Sequence, residues 1–288
     1  MEHIGFIGVG SIGSAMARCL VRAGLKMMIC DKSPKALESF KKMGVLVTDT
    51  PKSCADREMV IVMVANDSQV NEVILGDDGL LNAVNPDRAP LLAIMSTVLP
   101  QTIQHVAPYC AKKKVRLVDA AVSGLPVLAE QGKLTIMVGG AEADLEAMRP
   151  VFKFMGENIF HIGPLGSGVV TKLINNIVGN PNLFLTVEAM LVGKKYGLDP
   201  SKLASIMETS SGRNFSTKDW ERARKIFEFF SQSLELSKVM VDLSRKDLEH
   251  AQEMARQANL ECPLLDHILE AYRKFSYEEI QKRWHEVT

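Results

Sequence analysis

A lysine and two asparagines interrupt an otherwise apolar helical pattern in the segment GPLGSGVVTKLINNIVGN, residues 163–180. Lys172 and Asn176 are four residues apart, so they lie on one face of a helix. Burying an ammonium group or a carboxamide without partners is costly, so we expect this face to meet a polar ligand. Desolvation lowers the pKa of a lysine toward neutrality, which suits proton exchange near pH 7. The alternatives are that Lys172 reaches solvent from the helix edge and that Asn175 only bonds neighbouring backbone.

A glycine-rich segment near the N-terminus is a second candidate site. The pattern GxGxxG occupies six consecutive residues: Gly8, Val9, Gly10, Ser11, Ile12 and Gly13. It follows an apolar run and opens a helical pattern, which is the context in which this motif binds a dinucleotide. The glycines permit a tight turn, close approach of a pyrophosphate and close helix–strand packing, and the helix N-terminus favours phosphate. The alternative is a tight strand–helix turn that holds no ligand.

Asp31 follows the second apolar run, where an acidic residue of a dinucleotide-binding unit bonds the ribose hydroxyls. A carboxylate repels a 2′-phosphate, so Asp31 favours NAD as the cofactor. Lys32 and Lys35 lie close by in sequence and keep NADP possible. The alternative for Asp31 is a solvated surface aspartate.

The elements that position these residues follow from the alternation of apolar runs with helical patterns up to about residue 163. Helices are predicted at residues 12–23 and from the Ser33-Pro34 cap to about residue 43. Strands are predicted at residues 3–9, 26–30, 45–47, 59–64, 91–94, 115–119, 134–138 and 159–162. Strands that alternate with helices imply βαβ units and a largely parallel sheet.

After Gly168 the pattern is helical throughout. The sequence therefore predicts an α/β protein, with an N-terminal Rossmann doubly wound sheet followed by an all-α C-terminal domain. The predicted domains are an NAD(P)-binding domain at residues 1–163 and a helical substrate and oligomerisation domain at residues 164–288. The helix that carries Lys172 begins at this boundary, and ligand sites favour domain interfaces.

Composition argues against several classes of function, although a local basic patch could still bind nucleic acid. Thirty-four basic residues balance thirty-four acidic ones, so no net charge attracts nucleic acid or an anionic membrane. The longest nearly apolar run, residues 89–99, is too short to span a bilayer, and the acidic Glu2 argues against a secretory signal. The five cysteines are scattered without a CxxC pair, which is typical of reduced thiols in a cytoplasmic protein. The histidines lack metal-ligand spacing, so no metal is expected.

Four segments, in this order, make the sequence resemble the β-hydroxyacid dehydrogenase family, which includes 3-hydroxyisobutyrate dehydrogenase and tartronate semialdehyde reductase. The segments are GFIGVGSIGSAMA at 5–17, DAAVSG at 119–124, GSGVVTKLINN at 166–176 and KDLEHA at 246–251. The resemblance covers nearly the whole chain. It implies an NAD(P)-dependent oxidoreductase that interconverts a small anionic β-hydroxy acid and its semialdehyde. It also implies a homo-oligomer, either a dimer or a tetramer.

The resemblance also implies roles for individual residues. Lys172 matches the family's catalytic lysine, which would protonate the carbonyl oxygen in reduction and take the hydroxyl proton in oxidation. Asn176 matches a substrate-binding asparagine, and Ser123 and Gly124 match the pair that holds the substrate carboxylate. The positions that match cofactor-binding residues, besides the glycine loop and Asp31, are Val64, Ala65, Thr97 and Lys246. Ser123 has an alternative role as the cap of a turn.

The sequence departs from the family pattern beside the carboxylate-binding pair. Ala121 replaces a proline, and Leu125 replaces a second glycine. Leu125 adds a branched side chain at this loop, so the identity of the substrate stays open. Arg213 either meets a second anionic group of the substrate or forms a surface ion pair.

Three other functions remain as alternatives. A non-catalytic dinucleotide-binding module would not need Lys172. Imine reductases of this architecture usually lack that lysine. 6-Phosphogluconate dehydrogenases carry a histidine where this chain has Asn175.

Overall fold

The computed structural model of the protein describes residues 3–288, so Glu2 lies outside the described residues. The chain forms two compact units, one up to Lys172 and the other from Leu173 to the C-terminus. The boundary between them falls inside one long helix.

The first unit is built on an eight-stranded sheet. Its strands are β1 (His3–Ile7), β2 (Lys26–Cys30), β3 (Leu46–Thr48), β4 (Met59–Val62), β5 (Leu91–Ile94), β6 (Arg116–Ser123), β7 (Leu134–Gly139) and β8 (Gly156–Gly163). The strand order is β3-β2-β1-β4-β5-β6-β7-β8. Neighbouring strands are parallel except for β6 and β7, which are antiparallel. The direction of winding reverses between β1 and β4, which is the arrangement of a doubly wound Rossmann sheet. The predicted fold class is confirmed.

Helices cover both faces of this sheet. They are α1 (Ser11–Arg22), α2 (Pro34–Lys42), α3 (Asp67–Leu75), α4 (Pro100–Lys112), α5 (Pro126–Glu130) and α6 (Glu142–Phe152). Successive strand residues enter two separate apolar clusters: Ile61 packs in one, while Val60 and Val62 pack in the other. Strands that are buried on both faces have continuous apolar sequences. The sequence pattern could therefore predict their positions. The predicted cap of α2 is present, since the Ser33 hydroxyl accepts the Ala36 N–H at 3.4 Å.

Strand β6 is longer than its sequence pattern predicted. The expected strand ended at Asp119, whereas β6 continues to Ser123 and pairs with β7. A carboxyl group is rarely buried in a strand unless it has partners. Here the Asp119 carboxyl accepts backbone hydrogen bonds from Gly166 and Val169, so the strand continues through it.

The second unit is helical, as predicted. The long helix α7 (Ser167–Lys195) begins in the first unit, and the others are α8 (Pro200–Glu208), α9 (Phe215–Lys218), α10 (Trp220–Ser231), α11 (Leu234–Gln257), α12 (Pro263–Arg273) and α13 (Tyr277–Val287). An aromatic cluster joins α7, α12 and α13 in the core of this unit. The Phe184 ring centroid lies 4.9 Å from that of Tyr272 and 5.5 Å from that of Trp284. No helix within residues 3–288 is long and apolar enough to cross a membrane.

Candidate active site

The three glycines of the motif differ in what surrounds them. Gly8 follows β1 with a φ of +95°, and a Cβ there would lie 2.3 Å from the Met63 carbonyl oxygen. A Cβ on Gly13 would lie 2.2 Å from the Gly8 carbonyl oxygen. By contrast, a Cβ on Gly10 would meet nothing within 4 Å. Packing therefore explains two of the glycines, while Gly10 leaves open space at the surface.

The N-terminus of α1 faces this open space without a cap of its own. Gly10 supplies no side-chain hydrogen bond to the helix, and the first turn contains no acidic residue. Val9 is buried, Ser11 is exposed and Ile12 is half-buried. The first amide groups of a helix lack intrahelical partners, and together with the helix dipole they favour a phosphate. The loop therefore fits the pyrophosphate of a dinucleotide.

Asp31 fastens the glycine loop to the end of β2. Its Oδ2 accepts the Val9 N–H at 2.8 Å, and its Oδ1 accepts the Ser33 N–H at 2.8 Å. A carboxylate has about four acceptor positions, so these two bonds leave capacity for ribose hydroxyls. Lys32 nearby is engaged in an ion pair, with its Nζ 3.0 Å from Glu72 Oε1.

The other predicted cofactor positions of the first unit follow the carboxyl ends of β4 and β5. The Val64 N–H donates to the Ser96 hydroxyl at 2.8 Å, and the Ala65 N–H donates to Gln69 Oε1 at 2.9 Å. Thr97 follows the fully buried Ser96. The glycine loop lies at the same carboxyl edge of the sheet, where doubly wound proteins bind their ligands.

Lys172 and Ser123 meet within the first unit. Lys172 is only 9% exposed, and its Nζ donates a hydrogen bond to Ser123 Oγ at 3.3 Å. Ser123 is the last residue of β6 and pairs with Thr135 of β7, so it belongs to a strand end. The next residue, Gly124, has a φ of +143°, and a Cβ there would lie 2.6 Å from Leu134 Cδ2. A non-glycine residue at this position would therefore be strained.

Asp119 is a functional candidate that the sequence reasoning missed. It is completely buried, with Oδ1 accepting the Gly166 N–H at 2.6 Å and Oδ2 accepting the Val169 N–H at 2.8 Å. Burial raises the pKa of Asp119, and the hydrogen bonds from Gly166 and Val169 oppose that rise. The only sequence signal was its place at the start of the DAAVSG segment.

Asn176 lies in the second unit and is 4% exposed. Its Nδ2 donates to Asp247 Oδ2 at 2.7 Å, and its Oδ1 accepts from Asn175 Nδ2 at 3.0 Å. Asp247 is also buried, and the Nζ of Lys246 lies 3.4 Å from its Oδ1. The sequence analysis named Lys246 but missed Asp247. The signal that could have identified Asp247 is its charge at a position of the KDLEHA helix that the helical pattern places on the buried face.

The remaining groups considered from the sequence are Arg213, the cysteines and possible metal ligands. Arg213 is largely exposed, and its Nε lies 2.9 Å from Glu208 Oε1, which matches the surface ion pair considered from sequence. Four cysteines are buried and Cys262 is half-buried. Among residues 3–288, no group of three His, Cys, Asp or Glu side chains could hold a metal ion.

Two family models match the chain. The first, described as the NAD-binding domain of 6-phosphogluconate dehydrogenase, matches residues 3–163. The second, described as NAD-binding of NADP-dependent 3-hydroxyisobutyrate dehydrogenase, matches residues 166–286. Together they span nearly all of the sequence.

Individual relatives agree with these matches. A 3-hydroxyisobutyrate dehydrogenase of Pseudomonas aeruginosa is 39% identical over 75% of this chain and 72% of its own length. An NAD-dependent L-serine dehydrogenase of the same species is 34% identical over 95% of this chain and 92% of its own. The solved structure of Mycobacterium tuberculosis 3-hydroxyisobutyrate dehydrogenase with L-serine is 27% identical, covers 100% of this chain and 99% of its own, and has a TM-score of 0.81. The chain thus belongs to the β-hydroxyacid dehydrogenase family and is an NAD(P)-dependent oxidoreductase that acts on a CH–OH group.

Proposed function

We propose that this enzyme interconverts a small β-hydroxy acid and its semialdehyde, with Lys172 as the general acid and base. The observation that carries the proposal is the position of Lys172. Its side chain is almost buried, and its ammonium group lies 3.3 Å from the hydroxyl of Ser123. A buried ammonium group needs polar partners, and a substrate bound at Ser123 would bring a polar oxygen within its reach.

In this proposal, Ser123 and Gly124 bind the substrate and Lys172 transfers the proton. The Ser123 hydroxyl and the Gly124 amide would bond the substrate carboxylate, and glycine lets the ligand approach the backbone closely. The hydride chemistry would come from a nicotinamide cofactor held by the glycine loop and Asp31. In reduction, Lys172 Nζ donates a proton to the carbonyl oxygen. In oxidation, Nζ takes the proton from the hydroxyl group.

Asn176 would orient the reacting oxygen, because it lies one helical turn beyond Lys172 on α7. Its own amide is fixed by Asp247 and Asn175. A side chain held in one rotamer by hydrogen bonds loses less entropy when it binds a ligand. Asp247 therefore supports substrate binding by fixing Asn176.

We propose that the enzyme prefers NAD to NADP. The glycine loop, Val64, Ala65 and Thr97 would line the dinucleotide, and Lys246 is the remaining position that matches a cofactor-binding residue of the family. Support for the preference comes from Asp31, whose carboxylate would repel a 2′-phosphate. Further support comes from Lys32, whose charge is offset by Glu72.

The candidate substrates share a hydroxymethyl group on the carbon next to a carboxylate. 3-Hydroxyisobutyrate and L-serine, which appear in the names of the relatives, both have this arrangement. They differ in whether that carbon bears a methyl or an ammonium group. We propose 3-hydroxyisobutyrate as the better substrate, because the branched apolar side chain of Leu125, next to the carboxylate-binding pair in sequence, would favour a methyl group over an ammonium group.

We also propose roles for the two predicted domains. Residues 1–163 would bind the cofactor, while residues 164–288 would add substrate-binding groups and the contacts of a homo-oligomer. Light scattering of the purified protein distinguishes a dimer or tetramer from a monomer.

The function is tested by following NAD reduction with a panel of compounds. The panel contains 3-hydroxyisobutyrate, L-serine, 6-phosphogluconate and, as a matched control, an alcohol in which the carboxylate of 3-hydroxyisobutyrate is replaced by a neutral amide. We expect turnover of one or both hydroxy acids and little turnover of the amide. Turnover of 6-phosphogluconate alone, or reduction only of a cyclic imine in the reverse assay, would contradict the proposal. Binding of NADH with no turnover of any compound would favour a non-catalytic module.

A further inference from the structure

Asp119 occupies a site that is built around its carboxyl group. The residue is completely buried in the middle of β6, and its hydrogen-bond donors are the backbone amides of Gly166 and Val169. A Cβ on Gly139, which lies opposite on β7, would be 2.4 Å from Asp119 Oδ1. A Cβ on Gly168 would be 2.8 Å from Oδ2. The carboxyl group therefore fits only because both neighbours lack side chains.

This carboxyl group caps a helix from a different element of the fold. Helix α7 starts at Ser167, and the preceding residue, Gly166, has no side chain that could accept its first amides. Unpaired amides at a buried helix N-terminus are costly. Asp119 accepts the N–H groups of Gly166 and Val169 in place of a local capping residue.

The two elements joined by Asp119 carry the two members of the proposed catalytic pair. Lys172 lies three residues after Val169 on α7, within one helical turn. Ser123 lies four residues after Asp119 on β6, and residues separated by an even number point to the same face of a sheet. The hydrogen bonds of Asp119 thus fix the start of α7 relative to the strand on which Ser123 lies.

We propose that Asp119 is a positioning residue for the reaction, which holds the Lys172 ammonium group at Ser123 by fixing the first turn of α7 on β6. This inference rests on the proposed role of Lys172 as the general acid and base. It assigns Asp119 no proton transfer and no contact with substrate. A misplacement of a catalytic group by about 1 Å lowers a rate by roughly 10²-fold, so release of this turn is expected to reduce kcat.

The first test is Asp119→Asn, which keeps the size of the side chain but replaces one acceptor oxygen with an NH₂ group. We expect kcat to fall by about 10- to 100-fold, while the Kd for NADH changes by less than about twofold. Asp144→Asn is the matched control. Asp144 is a buried carboxylate in the first turn of α6 and pairs with Arg116 at 3.0 Å. Helix α6 carries no proposed catalytic group, and Arg116 is the first residue of β6, at the opposite end of the strand from Ser123. The loss of this carboxylate is therefore expected to leave kcat unchanged.

The second test separates positioning from a general loss of structure. Asp119→Asn is introduced into wild-type protein and into Lys172→Ala protein, and kcat is measured for folded samples. If Asp119 acts through Lys172, its substitution lowers kcat in the wild type and has no further effect in the Lys172→Ala background. An equal loss in both backgrounds, or a loss of NADH affinity that parallels the loss of kcat, overturns the inference.

The outcomes also distinguish this inference from the proposed function. If Lys172→Ala lowers kcat strongly while Asp119→Asn retains wild-type kcat, Asp119 has no positioning role and the proposed function stands. If Lys172→Ala retains wild-type kcat, the proposed function fails and the role of Asp119 fails with it. Should Asp119→Asn not fold, Asp119→Ser provides one hydroxyl acceptor in a smaller volume and is measured by the same criteria.

Discussion

Substituting Gly10 with alanine is expected to weaken cofactor binding while leaving the stability of the fold nearly unchanged. A Cβ on Gly10 meets no atom within 4 Å, and the residue already has an extended backbone with a φ of −63°. The folded protein thus has room for the side chain. A dinucleotide phosphate bound at the N-terminus of α1 would need the same space.

The size of each effect follows from this geometry. Alanine at a compatible glycine position changes stability by only about 0.4–1 kcal/mol, usually in the favourable direction. We therefore expect the free energy of unfolding of Gly10→Ala to lie within about 1 kcal/mol of the wild-type value. The Kd for NADH is expected to rise at least tenfold, or about 1.4 kcal/mol. Gly13→Ala is the contrasting variant, because its Cβ would lie 2.2 Å from the Gly8 carbonyl oxygen. Overpacking of this kind destabilises by roughly 1–3 kcal/mol.

The assay combines urea unfolding with titration of NADH by fluorescence. The expected pattern is a stable Gly10→Ala protein with weak cofactor binding and a Gly13→Ala protein with reduced stability. A Gly10→Ala protein that binds NADH as tightly as the wild type would refute the placement of the phosphates over this loop.

Three further predictions concern the cofactor, a surface ion pair and the substrate. Asp31→Ser is expected to narrow the preference for NADH over NADPH by about tenfold in kcat/KM, since the group that repels a 2′-phosphate is lost; an unchanged ratio contradicts this. Glu130→Gln is expected to lower the free energy of unfolding at pH 7 by about 0.5–1 kcal/mol, because hydrogen bonds from Arg18 and Arg22 lower the pKa of Glu130. This difference in the free energy of unfolding should be fully present above the pKa of Glu130 in the unfolded chain, about 4.3. It should disappear as the pH falls through the lower pKa of Glu130 in the folded protein; urea titrations at several pH values test this. Asn176→Ala is expected to raise KM for the hydroxy acid and to lower kcat by no more than about tenfold, and steady-state kinetics would contradict it if KM were unchanged.

Local patterns were sufficient to predict the fold and the tight turn at the glycine motif. The strands of the sheet are apolar on both faces, so they appear as continuous runs in the sequence. The glycine motif was recognisable because it stands between such a run and a helical pattern. Ser33 and Pro34 likewise predicted the start of α2 from two adjacent residues.

Contacts between distant residues could not be predicted in the same way. Asp119 ended the predicted strand because its partners, Gly166 and Val169, lie more than forty positions away in sequence. Asp247 was missed for a similar reason, since its bond to Asn176 joins two separate helices. Buried polar groups are placed by partners that only the folded chain brings together. The apolar helical pattern singled out Lys172, the family resemblance implied a catalytic role for it, and the structure adds its approach to Ser123.

The most direct test of the central claim is the kcat of Lys172→Ala on the best hydroxy acid found, measured alongside the Kd for NADH. Loss of a general acid and base lowers kcat by roughly 10²–10⁴-fold, and NADH affinity is expected to stay nearly unchanged because the glycine loop and Asp31 are intact. Lys172→Arg is the control for charge, and it is expected not to restore activity, since a guanidinium group stays protonated near pH 7. A Lys172→Ala enzyme that keeps near wild-type kcat would contradict the account, and Lys172 would then be a structural residue of α7.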